Sequence, residues 1–148
     1  MKKELKRLLP GGRFPEVSPQ RSRIMSAVKS RGNKSTEAAF RLALVRAKLR
    51  GWRVHPKDVL GRPDFYFPNS NLVVFVDGCF WHGCPECGHI PKTNSRFWRA
   101  KIKRNILRDT DITEKLEKAG FVVQRFWEHS LKQDPARCIS QVIGILQR

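Results

Sequence analysis

The segment Asp77-Gly-Cys-Phe-Trp-His-Gly-Cys-Pro-Glu-Cys-Gly-His89 constrains this chain more than any other stretch. The chain has four Cys and four His, and five of those eight lie here: Cys79, His82, Cys84, Cys87 and His89. Thiolate and imidazole are the preferred ligands of zinc, and the intervening Gly and Pro let a short loop turn around one ion. Phe80 and Trp81 sit in the same loop, where core packing does not account for them. The segment reads as a metal-braced loop that presents aromatic side chains. A tetrahedral site built on Cys79, Cys84 and Cys87 needs a fourth ligand. His89 is near in sequence; His129 is far in sequence but follows another predicted strand, so both stand as candidates. Cys138 begins an apolar helical stretch and reads as a small buried hydrophobe.

Thiols in this arrangement point to a reducing compartment and metal binding rather than a disulfide framework. A length of 148 residues suits one domain with a core of its own. No apolar run is long enough to span a membrane, and no apolar stretch of the secretory kind follows the basic N-terminus. The formal charge is +17, from 30 Lys and Arg against 13 Asp and Glu. Such an excess attracts a polyanion, and nucleic acid is the leading candidate. A membrane surface fits less well, because no helix combines a clean apolar face with a purely basic one.

Residues 1–20 read as a basic, flexible tail and residues 21–148 as a single domain. Arg21–Arg31 suggests a short helix with Ile24, Met25 and Val28 on one face, leaving Arg21 and Arg23 to reach phosphates. Ser35 and Thr36 are N-cap candidates for a helix to about Leu49, with Phe40, Ala43, Leu44 and Ala47 facing inward. Glu37 lies in its first turn, where local sequence favours a helix-dipole role. Trp52–His55 reads as a short strand ended by Pro56. Gly61-Arg-Pro-Asp-Phe-Tyr-Phe67 is a turn running into a strand, and Leu72–Val76 is an apolar strand buried on both faces. A long helix is expected over Asn94–Ala119, closed by Gly120, with Phe97, Ile102, Ile106, Ile112 and Leu116 as its core stripe. Phe121–Trp127 reads as a strand, and a last helix runs from about Asp134 to Leu146.

Asp64 opens a strand directly after a turn, which puts a carboxylate at a sheet edge where a hard cation can bind. The next strand ends in Asp77 and the His82 loop, so two carboxylates and an imidazole fall near one edge. Trp52 and Trp127 fit core strands. Phe80, Trp81 and Trp98 lie among basic residues, a pattern suited to stacking on or wedging between bases.

The strings Arg21-Ser-Arg-Ile-Met, Gly61-Arg-Pro-Asp-Phe, Val76-Asp-Gly-Cys-Phe-Trp-His, Phe97-Trp with Lys101 and Asn105, and Trp127-Glu-His resemble the very-short-patch repair endonuclease family from about Arg21 to Leu131. The resemblance implies an α/β, restriction-endonuclease-like core: a mixed β-sheet flanked by helices, with a structural zinc site. It also implies a single-chain, bacterial-type cytoplasmic enzyme that nicks one strand of double-stranded DNA beside a T:G mismatch, using Mg²⁺ for the cut and Zn²⁺ for structure. Mismatch-repair proteins are possible partners. By position, Asp64 and the Val76 carbonyl match metal contacts, His82 a catalytic histidine and Glu37 a helix glutamate near the site. Phe80, Trp81 and Trp98 match aromatics that wedge into DNA. Asp77 stands where some members carry His, which leaves open whether it ligates metal or orients water. Matching by strand end favours His129 over His89 as the fourth zinc ligand. A zinc-stabilised DNA-binding module that does not cut, or a related nuclease for DNA without a mismatch, would share part of the pattern.

Overall fold

In the computed structural model, the described residues are 34–148 together with 7, 18–20, 23 and 24. The apolar run Leu72–Phe75 is the centre of the molecule, each of its side chains at most 6 % exposed. It belongs to β3 (Leu72–Asp77), the third strand of a four-stranded sheet in the order β1 (Arg53–Val54), β2 (Phe65–Phe67), β3, β4 (Val122–Trp127). The first three strands are antiparallel neighbours, and β3 and β4 run parallel. A parallel pair needs a long crossover, supplied by a helix over Ser95–Lys118.

Alternation along β3 divides the core in two. Leu72 and Val74 face a cluster with Phe40, Leu44, Phe65, Phe126, Leu131 and Val142. Val73 and Phe75 face another with Val59, Leu116, Ile112 and Val123. The first is covered by α1 (Lys34–Arg46), a short α3 (Glu128–Gln133) and α4 (Pro135–Leu146); the second is covered by the crossover helix, α2. The sheet is therefore mixed and flanked by helices, as expected. Cys138 is buried in the first cluster. Among the described residues no helix is long and apolar enough to cross a membrane.

Several boundaries moved for local reasons. α1 begins at Lys34, so Ser35 and Thr36 lie inside it, and the buried Thr36 hydroxyl donates to Glu128 Oε1 at 3.5 Å. It ends at Arg46 because Lys48 adopts a left-handed φ of 58°. β1 stops at Val54 because His55 also turns left-handed, at φ 45°. In α2 the inward stripe is Trp98, Ile102, Asn105 and Leu116, whereas Ile106 is 41 % exposed. α3 was not anticipated; α4 starts as expected, with Asp134 Oδ1 accepting from the Arg137 N–H at 3.0 Å.

Phe40 packs edge-on against Phe65, with ring centroids 4.9 Å apart, and lies tilted against Phe126 at 5.7 Å. Phe40→Ala is expected to cost about 3–5 kcal/mol of unfolding free energy. Urea titration checks it, and a loss below about 1 kcal/mol would mean that α1 is not anchored through this ring.

Candidate active site and metal centre

β2 and β3 part company beyond the Phe65–Val74 pair. The Asp64 N–H still donates to Val74 O at 3.0 Å, and the Asp64 side chain then takes over, Oδ2 accepting from the Val76 N–H at 2.6 Å. In an extended strand the N–H and C=O of one residue point the same way, so the Val76 carbonyl leaves the strand on the Asp64 side. Burial, reinforced by the Glu37 carboxylate, pushes Asp64 up to about 7, against the pull of the Val76 N–H.

Glu37 turns inward from the first turn of α1. Its Oε2 lies 2.9 Å from His55 Nε2, and its Oε1 is buried without a hydrogen-bond partner. His55 Nδ1 is 3.9 Å from Asp64 Oδ1. The ligand atoms of Glu37, His55 and Asp64 all lie within 4.8 Å of one another. Two carboxylates at a partly buried site, one pushed toward neutrality and the other with an orphaned oxygen, suit a divalent cation, which would relieve both penalties. The helix-dipole reading of Glu37 thus gives way to a tertiary one. His55 was missed: its neighbours showed only a strand stopped by proline, whereas its N–H is pinned to the Asp64 carbonyl at 3.2 Å.

On the α2 side of the sheet, His82 is 9 % exposed. Its Nδ1 makes a short hydrogen bond to Asp109 Oδ2 and lies 3.7 Å from Asp77 Oδ1. With an ionised Asp109 as acceptor, Nδ1 carries the proton and Nε2 becomes the basic nitrogen. Against its own burial, His82, Arg125 and Arg108 hold the Asp109 carboxyl below the usual carboxylate range. Asp77 is gripped at both oxygens by Arg125, Nε to Oδ2 at 2.7 Å and Nη2 to Oδ1 at 3.0 Å. Arg125 also donates to Thr113 Oγ1 at 3.1 Å and lies over the Phe75 ring, 4.4 Å from its centroid. Asp109 escaped sequence reading although a signal existed: it shares the α2 stripe with Ile102, Asn105, Ile112 and Leu116, where a lone acid is out of place.

Beyond Asp77 the chain winds into a knuckle that meets the start of α3. Cys79, Cys84 and Cys87 Sγ lie 3.3, 3.6 and 3.4 Å from His129 Nδ1, and Cys87 Sγ is 3.6 Å from Cys84 Sγ. Ligand atoms on a tetrahedral zinc would be roughly 3.5–3.8 Å apart from the usual bond lengths, so these four fit such an ion. Despite burial, the backbone N–H groups of Cys87 and Glu86 lower the Cys84 thiol to about 7. Gly88 permits the knuckle, since a Cβ there would sit 2.3 Å from the Cys84 carbonyl. His129 Nε2 meets Glu86 Oε2 at 3.1 Å. His89 is absent from this group and packs instead against Phe80, 5.5 Å between centroids.

Phe80 and Trp81 are half-buried and touch edge to face at 5.2 Å. Asn105 Nδ2 donates to the Trp81 carbonyl at 2.9 Å, tying the loop to α2. Trp98, expected at the DNA surface, is only 8 % exposed and packs under both rings at 5.3 and 5.8 Å. Of the Phe97–Trp98 pair it is the inward member, because it falls on the buried stripe of α2. Arg23 is exposed; Arg21 lies outside the described residues.

A mixed four-stranded sheet between helices, with an acidic cleft where two strands part, is an α/β architecture consistent with a nuclease-like fold. Residues 17–88 match the family model for the DNA mismatch endonuclease Vsr. The chain is 38% identical over 145 residues to the Type II nicking enzyme V.NaeI of Lentzea aerocolonigenes, covering 92% of this chain and 84% of that one. It is 40% identical over 118 residues to the Type II nicking enzyme V.XorIIP of Xanthomonas oryzae, covering 78% and 85%. It is also 35% identical over 115 residues to the DNA mismatch endonuclease Vsr of Escherichia coli, covering 76% and 71%. The chain belongs to the Vsr family of DNA endonucleases.

The raised Asp64 has a consequence for stability. A carboxyl that titrates near 7 when folded, against 3.8 ordinarily, binds more protons folded than unfolded across that interval. Its contribution therefore falls as pH rises through the interval and is most unfavourable above it. In metal-free protein, Asp64→Asn should raise stability by about 1–3 kcal/mol at about pH 8 and do little at about pH 4. Thermal unfolding in chelator at both pH values checks this, and an Asn variant less stable than wild type at the higher pH would refute it.

Proposed function

We propose that this protein is a strand-specific endonuclease that hydrolyses one phosphodiester bond of duplex DNA beside a T:G mismatch, with Mg²⁺ serving the reaction and Zn²⁺ bracing the aromatic loop. The observation that carries the reading is Asp64, a buried carboxyl raised to about 7 at the splay of two strands, with His82 in the same cleft. Family membership, relatives named as nicking and mismatch endonucleases, and a charge of +17 support it.

Asp64 and the Val76 carbonyl would hold the catalytic cation, with Glu37 beside them. When bound, that cation supplies positive charge against the phosphate as it passes through its pentacovalent state, and makes a neighbouring water more acidic. His82 takes the proton of the attacking water through Nε2 as the bond from phosphorus to the 3′ oxygen breaks in line. Asp109 fixes the imidazole and stabilises its charged form. Asp77, held by Arg125, acts here as an orienting anion near His82 rather than as a metal ligand. Cys79, Cys84, Cys87 and His129 would hold zinc, with Glu86 fixing His129 through Nε2.

Phe80 and Trp81 would enter the duplex beside the mismatch, supported from below by Trp98, and Arg21 and Arg23 would contact phosphates. Inserting a wedge costs a few kcal/mol of stacking per step, and less at a mismatched pair that is already poorly stacked. That difference favours mismatched sites over intact ones.

With Mg²⁺, the protein should nick T:G duplexes of suitable flanking sequence, Asp64→Ala should bind them without cutting, and His82→Ala should cut about 10²–10⁴-fold more slowly. Gel assays on a mismatch library with randomised flanks provide the check. Binding without cutting by the wild type would leave a DNA-binding module, and wild-type cutting by Asp64→Ala would remove the assigned centre. Purified wild type should carry one zinc per chain by elemental analysis and His129→Ala little; equal content in both would exclude His129 as a ligand.

A further inference from the structure

We infer that Arg62 is a catalytic residue, its guanidinium donating to a non-bridging oxygen of the phosphodiester that is cut. The inference rests on the nuclease reading above and concerns a residue which that reading leaves unused.

Arg62 lines the narrow cleft that also holds Asp64, Val76, Asp77, His82 and Arg125. This cleft is hostile to a phosphodiester, because Asp64, Asp77 and Asp109 all border it. A cation bound at Asp64 offsets part of that repulsion, and the remainder must come from side chains. Arg125 is committed, with its guanidinium on both oxygens of Asp77 and on Thr113. His82 is held by Asp109. Among the described residues, Arg62 alone of the cleft's arginines has no acidic partner and no side-chain hydrogen bond.

The backbone gives an independent reason. Gly61 and Arg62 are both left-handed, at φ 76° and 48°. Glycine adopts this conformation freely, whereas a residue with a Cβ pays about 1–2 kcal/mol. The turn is pinned on both sides, by Arg62 N–H to Val59 O at 3.1 Å and by Asp64 N–H to Val74 O at 3.0 Å. A glycine or asparagine at 62 would close the same turn with less strain. A long cation at a position that disfavours it, two residues before the buried carboxyl and on the cleft wall, suits a side chain that meets substrate there.

The chemistry suits the place. Guanidinium is planar and permanently charged, and it matches phosphate oxygens with paired donors. Negative charge on the non-bridging oxygens grows as water adds to phosphorus, so the contact is stronger in the transition state than in the ground state and should act on the rate of cutting more than on binding. No proton or bond passes through Arg62; it only stabilises charge.

The test is Arg62→Gly and Arg62→Lys, each compared with wild type on a T:G duplex that wild type nicks. Arg62→Gly should melt at or above the wild-type temperature, since it relieves strain. It should bind the duplex in Ca²⁺ within about threefold of wild type, and in Mg²⁺ its single-turnover nicking should be slower by about 10²-fold. Arg62→Lys, which keeps the charge, should recover part of that loss. Nicking by a folded Arg62→Gly within about threefold of wild type would overturn the inference, as would a loss residing wholly in affinity, the mark of an ordinary backbone contact. Wild type that nicks no mismatched duplex would instead defeat the nuclease reading, and this inference with it.

Discussion

The parallel pairing of β3 with β4 is the constraint on which both centres depend. The two strands run together from Leu72 opposite Val122 to Asp77 opposite Trp127 and end at the same level. The knuckle leaves one end and His129 follows the other, so residues 42 to 50 positions apart become candidate ligands of one ion. The same register sets Asp77 diagonally across from Arg125 on one face of the sheet. A slip of one residue would turn Arg125 to the α1 face and leave Asp77 buried without a countercharge. The apolar filling on both faces of β3 makes such a slip costly.

The proposed site is built against the grain of the molecule's charge. In a chain with a net charge of +17, four carboxylates, from Glu37, Asp64, Asp77 and Asp109, are gathered into or beside one cleft. Two are matched internally, Asp77 by Arg125 and Asp109 by His82. Asp64 and Glu37 share only the exposed His55, 2.9 Å from Glu37 Oε2 and 3.9 Å from Asp64 Oδ1, and Glu37 Oε1 has no hydrogen-bond partner, so that is where a cation fits.

Much of this was legible in the residues. The run Leu72–Val76 announced a doubly buried strand, the 24-residue α2 announced itself by periodicity and Gly120, and three cysteines within nine residues announced the knuckle. The motif Gly-Arg-Pro-Asp pointed to Asp64. What escaped was tertiary. His55, Asp109 and Arg125 acquire meaning through partners 9 to 48 residues away in sequence, and only Asp109, a lone acid on the apolar stripe of α2, carries a local signal. Trp98 was misjudged because adjacent aromatics on a helix do not reveal which one points inward. Asn105 displaced Ile106 from the buried stripe through a hydrogen bond to the Trp81 carbonyl, which no hydropathy pattern records. Arg62 was hidden for another reason, since in sequence it is one residue of a Gly-Arg-Pro turn, and its left-handed φ is visible only in the structure.

Anomalous diffraction from crystals soaked in Mn²⁺ locates each ion by element and so distinguishes the two metal centres. A zinc peak is expected within Cys79, Cys84, Cys87 and His129, and a manganese peak between the Asp64 carboxylate and the Val76 carbonyl, with Asp77 still on Arg125. Manganese drawn to Asp77 with Asp64 bare, or zinc held by His89 in place of His129, would contradict that assignment.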